Sequence, residues 1–556
     1  MRALVFVLLM TTTGWGQSRW QARSMVVTEL GIVAASQTLA SQAGAQVLAR
    51  GGSAMDAAIA ANAVLAVVEP MSDGIGGDVM ALYSDARTGR ITGLNGGGWA
   101  PKGLTPKRLR DAGHVSMPQS GILSVTVPGC VEGWERLHRR FGKLPWKDLF
   151  APAIHYASHG FPLTELIAEH WRGTVGKLRS DEYAEKTFLP GGAAPATGQL
   201  YRNPDLAAAL RLIAEQGAAA FYKGPIAKAM VETSRKQGGV IEASDLSEYQ
   251  SEWVEPISTS YRGWRVYELP PPTMGATALG MLNLMETFRL QSMQPYAPET
   301  LHYKMEAQKL AYQDARRYLA DPRTARVPAE LLSKDYAAAR AKSIGEKAAC
   351  QAQPGLPGTG AGDTVYLTAV DREGNIASLI QSVYLSWGSG VAVAPYGFHL
   401  HNRAGLFELA DGHPNQAAPR KRPFHTIIPG LMERDSVRIG FGIMGGYNQA
   451  QAHAQFVSYL VDHGMNIQAA LEAPRFTKLN FGGCDVMLEN RLPLETLEAL
   501  RERGHRLEME GEYSSWMGGG QAVLFDAKTG IKYGASSPQK DGAAVPEPEL
   551  FWGKGK

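Results

Sequence analysis

Asp363 and Thr364 stand where a loop with almost no bulky side chains, Gln353 to Gly362, meets an alternating apolar run, Val365 to Val370. A threonine at the head of a strand, behind such a loop, is placed to be reached and attacked rather than packed. Its hydroxyl is a weak nucleophile until a base takes the proton. An N-terminal threonine supplies that base itself, because a free α-amine titrates near ~7.7–8.0 and is partly neutral at physiological pH. The chemistry therefore requires a cut between Asp363 and Thr364. A second chemical feature is Gly445-Gly446 ahead of a helical pattern. Unencumbered backbone N–H groups at a helix start suit an oxyanion, and the same two glycines equally suit a tight turn at positive φ. Gly440-Phe-Gly442-Ile-Met-Gly445, with Asp462 downstream, has the spacing of a dinucleotide-binding turn. The strand before it belongs to a hairpin pattern and not to a repeated βαβ series, so no nucleotide site is expected.

The bulk of the chain is ordinary for a large globular protein: 556 residues, 44% hydrophobic and 20% charged. Its 56 basic and 53 acidic residues leave a net charge of +3, which points to neither nucleic acid nor a membrane surface. The basic run Arg420-Lys421-Arg422 fits a solvated loop or a local anion contact better than a polyanion site. Three cysteines, Cys130, Cys350 and Cys484, form no CxxC, and there is no HExxH. The odd count argues against a disulfide framework, and neither a structural metal nor a cofactor is expected. Residues 1–24 have the form of an export signal: Arg2, then an apolar core from Ala3 to Met10 that is too short to span a bilayer, with cleavage expected around Gly16 to Ser24. With no stable membrane anchor, the mature protein is expected to be exported, periplasmic or secreted.

Several elements must position these groups. Ser53 and Asp56 form a capping box for an Ala-rich helix, Ala54 to Val68, apolar nearly all round and hence buried between layers. Ala34 to Arg50, Val131 to Phe141, Glu299 to Leu319 and Ala337 to Ala349 carry helical spacing, as do Gln449 to His463 and Ile467 to Ala473. Val79 to Ser84, Ile91 to Leu94 and Tyr261 to Tyr267 read as strands. Val365 to Val370 with Ile376 to Tyr384, and Thr426 to Leu431 with Val437 to Phe441, make two hairpins. Antiparallel hairpins mixed with helices indicate a layered α/β fold rather than a doubly wound sheet.

Taken together, a set of short stretches resembles the γ-glutamyltransferase (glutathione hydrolase) family of N-terminal-nucleophile hydrolases over nearly all of Val27 to Gly542. They are Gly51-Gly-Ser-Ala-Met-Asp-Ala-Ala58, Gly74-Ile-Gly-Gly77, Val127-Pro-Gly-Cys-Val-Glu-Gly-Trp134, Leu144-Pro-Trp146, Pro270-Pro-Pro-Thr-Met-Gly275, Gly362-Asp-Thr364, Lys421-Arg-Pro423, Met444-Gly-Gly446, Ala473-Pro-Arg475 and Tyr533-Gly-Ala535. The resemblance implies an αββα four-layer sandwich. It implies a precursor that cuts itself into a large subunit, 25–363, and a small subunit, 364–556, which stay together as one intertwined domain. It assigns the nucleophile to Thr364, the oxyanion hole to Gly445 and Gly446, and an assisting hydroxyl to Ser382. Val365 stands where typical members have a second threonine.

The departures concern substrate. The family's glutamyl α-carboxylate arginine is replaced by Gly97, and two adjacent serines by His425-Thr426. A pocket asparagine becomes Tyr384, a glutamine becomes Arg403, and the aspartate that reads the α-amine becomes Leu406. Leu406 to Arg420 is also shorter than the family's lid-bearing loop. Losing such a clamp weakens γ-glutamyl recognition by roughly 2–5 kcal/mol for one truncated buried charge pair. Arg403 suits a carboxylate contact or a salt-bridged structural role, His425 a substrate contact or a hydrogen-bonded core position, and Tyr384 a pocket wall or packing. The expected function is a self-processing amide hydrolase acting on a γ-glutamyl or other small carboxylate-bearing amide. An oxamate-amidohydrolase-like or β-lactam-acylase-like activity is the alternative within the class. A non-catalytic exported binding protein of the same fold is the alternative outside it.

Overall fold

The structure is a computed structural model that describes residues 21–350, 363–478 and 483–549. Most of the expected export signal lies outside the described residues. Among those described, no helix is long and apolar enough to cross a membrane.

Two seven-stranded sheets carry the fold. In chain order their strands are β1 (Val26–Thr28), β2 (Ile32–Ala35), β3 (Asp78–Ser84), β4 (Ile91–Gly96), β5 (Glu252–Val254), β6 (Ile257–Tyr261), β7 (Trp264–Glu268), β8 (Asp363–Val370), β9 (Ile376–Tyr384), β10 (Gly430–Arg434), β11 (Val437–Ile443), β12 (Gly520–Asp526), β13 (Lys532–Ser536) and β14 (Ala543–Pro546). One sheet runs β1-β13-β12-β11-β10-β7-β6 and the other β14-β2-β8-β9-β3-β4-β5. Every neighbouring pair in them is antiparallel.

Three apolar clusters define the layers. Ile32, Met80, Tyr366, Ile380, Leu431, Met444 and Val523 pack between the sheets. Outside the second sheet lie α1 (Thr38–Ala49), α2 (Ala54–Val68) and α3 (Cys130–Phe141), sharing a core with Val365, Leu367 and Leu379. Outside the first lie α4 (Gly275–Glu286), α5 (Pro298–Tyr318), α6 (Asn448–Val461) and α7 (Ile467–Glu472), packed on Met432, Ile439 and Phe441. This is the expected αββα sandwich, a mixed fold built on antiparallel sheets. The Ser53–Asp56 capping box is present, and every residue of α2 is buried, as its all-round apolar pattern requires.

Period-two alternation decides which side chains of the β8–β9 hairpin face which layer. Val365, Leu367 and Ala369 face the helices, while Tyr366 and Val370 face the opposite sheet. Across the gap, a Cβ on Gly440 would meet Thr368 Oγ1 at 2.6 Å, and one on Gly442 would meet the Tyr366 ring at 2.5 Å. Two of the three glycines in the dinucleotide-like motif therefore serve close approach of the sheets, and β11 is a hairpin strand paired with β10 and β12.

Three local expectations change. Ile32–Ala35 is a buried strand ahead of α1, so the periodic run at Ala34 is split at the Gln37 N-cap. Tyr261–Tyr267 is a hairpin, turned at Arg262 and Gly263 with φ of 47° and 85°. The helix before the cut region runs over Lys334–Ala341 and stops well short of Ala349. Cys350 and Cys484 form a disulfide across a sequence separation of 134, although an odd cysteine count argues against a disulfide framework. Cys130, in α3, is the buried free thiol.

Gly442→Val places a branched side chain against the Tyr366 ring. It is expected to lower the denaturant midpoint by the equivalent of about 1–3 kcal/mol without changing the slope, measured by urea unfolding.

Candidate active site

Thr364 occupies an irregularity in the β8–β9 ladder. Asp363 pairs with Tyr384, but Val365 pairs with Gln381, so the register slips by one across Thr364. Bulges of this kind re-aim a side chain, and they recur beside active sites. The partner backbone is also unusual: Tyr384, a non-glycine residue, has φ of 77°. Thr364 is buried, and its Oγ1 donates to Ser382 Oγ at 3.3 Å, while Ser382 Oγ accepts from the Tyr384 N–H at 2.8 Å. The register thus holds two hydroxyls and a sharp backbone bend together at one end of the hairpin.

Gly445 and Gly446 reach the same end of the sandwich. Gly440 faces Thr368 and Gly442 faces Tyr366, so as numbers rise along β11 they fall along β8. Met444, the next residue of that face, packs in the cluster between the sheets with Tyr366, and the glycine pair follows it directly. Gly445 and Gly446 have φ of 120° and 58°, conformations that L side chains rarely adopt. Their carbonyls accept from Asn448 and Gln449 N–H as α6 begins. Neither glycine N–H donates to a partner among the described residues. Two uncommitted N–H groups at the positive end of a helix form a ready anion site.

The expected substrate residues are also brought together, around a carboxylate that the sequence reading did not single out. Asp78, at the start of β3, is fully buried. Its Oδ1 accepts from Gly98 N–H at 2.9 Å and Gly129 N–H at 3.2 Å, pinning two loops. Its Oδ2 lies 3.1 Å from His425 Nε2 and 3.6 Å from Arg403 Nε. Burial would raise the Asp78 carboxyl, but His401, His425 and Arg403 outweigh it and hold the group well below the usual carboxylate range. His425 Nδ1 accepts from Ile427 N–H at 3.4 Å, which leaves Nε2 as the donor to Asp78. Burial, then the Arg403 charge, pushes the His425 imidazole down to about 3, so it is neutral at physiological pH. His401, beneath Arg403, accepts from the Arg403 N–H through Nδ1 at 3.1 Å. Asp78 follows two glycines and His401 sits two residues before Arg403; neither pattern carries a sequence signal by itself.

Arg403 is fully buried and lies over the Tyr384 ring, 5.0 Å from its centroid. Nη1 donates to Thr426 Oγ1 at 3.2 Å, whereas Nε and Nη2 have no hydrogen-bond partner. Burial pushes the guanidinium down to about 10, still a cation at neutral pH. One buried positive group therefore keeps unused donors beside Tyr384, whose strand neighbour Asp363 precedes Thr364. His425 fills the space beside Gly97, where a Cβ would sit 3.3 Å from its Cδ2. Leu406 is buried in an apolar cluster with Tyr384, Phe424 and Tyr447. The short segment after it is packed down by Phe407, Leu409 and Ala417 against Ala100, Leu104 and Leu109.

Among the described residues, His302, Glu306 and His505 are the side chains of metal-ligating type that converge, their ligand atoms within 4.8 Å of one another. Glu306 is held by Lys309 Nζ at 2.6 Å, and the two imidazoles by each other at 2.9 Å, which accounts for the cluster without an ion.

The gamma-glutamyltranspeptidase family model matches residues 40–547. The chain belongs to that family. It is 35% identical over 520 residues to the glutathione hydrolase-like YwrD proenzyme of Bacillus subtilis, covering 92% of this chain and 98% of the relative. It is 32% identical over 530 residues to the oxamate amidohydrolase proenzyme of Klebsiella pneumoniae, covering 93% and 99%. The cephalosporin acylase of Bacillus halodurans superposes with a TM-score of 0.89 at 39% identity, over 97% of this chain and 99% of the acylase. The fold and enzyme class implied by the sequence thus stand: a self-processing amide hydrolase of the N-terminal-nucleophile type.

His425 resists protonation in the folded state, whereas its unfolded counterpart takes up a proton near pH ~6.5. Its folded pKa is depressed, so stability falls as pH drops from about 6.5 toward about 3. Asp78 acts in the same direction only below pH ~4. Between pH 7 and pH 5, His425→Gln is expected to lose roughly 2 kcal/mol less unfolding free energy than wild type, measured by urea titration at both pH values.

Proposed function

We propose that the chain cuts itself between Asp363 and Thr364 and then hydrolyses a small amide whose acyl part carries a carboxylate. In the intact chain β8 runs through the 363–364 peptide, and the ladder slips at that point. Thr364 Oγ1 attacks the Asp363 carbonyl carbon, and the C–N bond breaks as the acyl group moves to oxygen. Water then hydrolyses this ester, freeing the Asp363 carboxylate and the Thr364 α-amine. In the processed enzyme that amine takes the hydroxyl proton as Oγ1 attacks the substrate amide. Gly445 and Gly446 N–H groups stabilise the tetrahedral oxyanion, the leaving amine collects the proton, and water resolves the acyl-enzyme. Ser382 holds Oγ1 in line throughout. The observation that carries this reading is the Thr364–Ser382 hydrogen bond inside a ladder slip, at the end of the sandwich where the glycine pair emerges.

Arg403 supports a carboxylate on the acyl side, because its unpartnered donors are buried next to the nucleophile's strand and a guanidinium binds carboxylate bidentately. Thr426 orients it and Asp78 balances its charge, while Tyr384 forms the wall and His425 closes the space beside Gly97. Leu406 offers nothing to a substrate α-amine, which favours an acyl group without one. Relatives named as an oxamate amidohydrolase and a cephalosporin acylase are consistent with such acyl parts. A γ-glutamyl amide, as in the glutathione hydrolases, is the competing substrate. Hydrolysis is proposed over transfer to an acceptor amine, on the ground that the segment after Leu406 is short and packed down at Phe407 and Leu409. The large subunit, 25–363, and small subunit, 364–556, remain associated. The apolar run after Arg2 and the Cys350–Cys484 disulfide, a bond that persists in oxidising compartments, support export.

On a reducing denaturing gel, purified protein is expected to give two bands, the smaller beginning Thr-Val-Tyr-Leu by N-terminal sequencing, and Thr364→Ala is expected to stay whole. A wild-type chain that remains whole on long incubation refutes self-processing and leaves the binding-protein reading. Arg403→Gln is expected to lower kcat/KM at least roughly 30-fold (about 2 kcal/mol) for a carboxylate-bearing acyl amide and little for its neutral analogue. An equal loss on both makes Arg403 a structural partner of Asp78 instead.

A further inference from the structure

We infer that the processed enzyme is one covalent molecule made of two chains, joined by the Cys350–Cys484 disulfide. The inference rests on the cut proposed above. The disulfide closes a ring over a sequence separation of 134, and the 363–364 peptide lies inside that ring. Cutting a ring once opens it without separating its parts. Cys350 then belongs to the large subunit and Cys484 to the small one, so a bond that is intrachain in the precursor becomes the bridge between subunits.

The surroundings of the bond are built for this contact. The large-subunit segment leading to Cys350 lies against the small-subunit turn that precedes the strand from Arg506 to Glu510. Ala348 N–H donates to the Arg503 carbonyl at 2.8 Å, and Arg503 Nη1 donates back to the Glu346 carbonyl at 3.0 Å. From the other side, α5 presents His302, whose Nε2 lies 2.8 Å from the Gly345 carbonyl and whose Nδ1 meets His505 Nε2 at 2.9 Å. These contacts bring the two cysteine Cα atoms to 4.8 Å, within the range a disulfide spans. Cys130 is buried in α3 and paired with neither, so no competing disulfide is available.

Formation takes two thiols to one S–S bond, releasing two protons and two electrons. The acceptor is a disulfide-bonded oxidant of the compartment, itself reduced to two thiols by exchange. The consequence lies in refolding. The subunits already interleave: β8 of the small subunit is paired between β2 of the large subunit and β9, and β9 is paired on to β3 of the large subunit. Once denatured, two unlinked chains would have to find each other again, whereas linked chains refold as one molecule whatever their concentration.

The test uses processed protein purified without reductant from an exporting host, with free thiols blocked by an alkylating agent. On a denaturing gel, one band near full length without reductant and two bands with it are expected, the smaller beginning at Thr364. Two bands in both lanes overturn the cross-link while leaving the cut intact. One band in both lanes overturns the cut, and the cross-linked pair with it. Cys484→Ser is expected to process normally and to show two bands in both lanes. Its recovered activity after denaturation should fall at tenfold dilution, where that of the wild type stays constant. Should that variant not fold, thiol counting by mass decides on the wild type alone: one alkylated cysteine before reduction and three after support the bridge, and three before reduction refute it.

Discussion

The structure depends on the β8–β9 hairpin being central in its sheet. Each strand of the hairpin pairs with the other and, on its outer edge, with a strand from the N-terminal part of the chain, β2 or β3. The alternate faces of the hairpin fill two of the three apolar clusters. Such a strand cannot be displaced without opening both layers, so Thr364 at its head is held by the whole sandwich. The same placement explains how a backbone cut could be tolerated there. The regular ladder begins at Val365, and among the described residues what precedes Thr364 contributes only the slipped Asp363–Tyr384 pair. Breaking that peptide removes little pairing, while the pieces on either side stay interleaved.

A second constraint is the burial of Asp78. A carboxylate without water is costly unless fully paired, and here it is met from four segments: by two backbone N–H groups and an imidazole at hydrogen-bond distance, and by the charge of a guanidinium 3.6 Å away. The arrangement has a direct chemical result. Burial and the Arg403 charge keep His425 neutral against the pull of Asp78, and Arg403 stays charged, so the cluster has a single cation with donors to spare. The replacement of a family arginine by Gly97 belongs to the same change, because His425 takes up the room beside that glycine. The side chains around Asp78 thus form one connected cluster.

The amino-acid sequence by itself determined the parts whose physics is local. The Ser53–Asp56 box starts α2 because its two hydrogen bonds are made within four residues. The β8–β9 hairpin follows from alternation about a tight turn, and Gly445-Gly446 from a backbone path that L side chains resist. The family resemblance, resting on short stretches spread along the chain, added the layer order and the candidate roles of Thr364, Ser382, Tyr384, Arg403, His425 and Thr426. Where elements are buried on every side, local pattern failed: Ala34 and Ala35, the end of strand Ile32–Ala35, merged with the following helix, since an apolar run has no period to distinguish strand from helix. The Tyr261–Tyr267 hairpin was hidden because Arg262-Gly263 lacks the usual turn asparagine or aspartate. Only the tertiary structure decided the rest. Asp78 as the hub of His401, Arg403 and His425, and Cys350 beside Cys484, are each produced by segments far apart in number. Their meeting is set by sheet register and layer packing, which no spacing along the chain encodes.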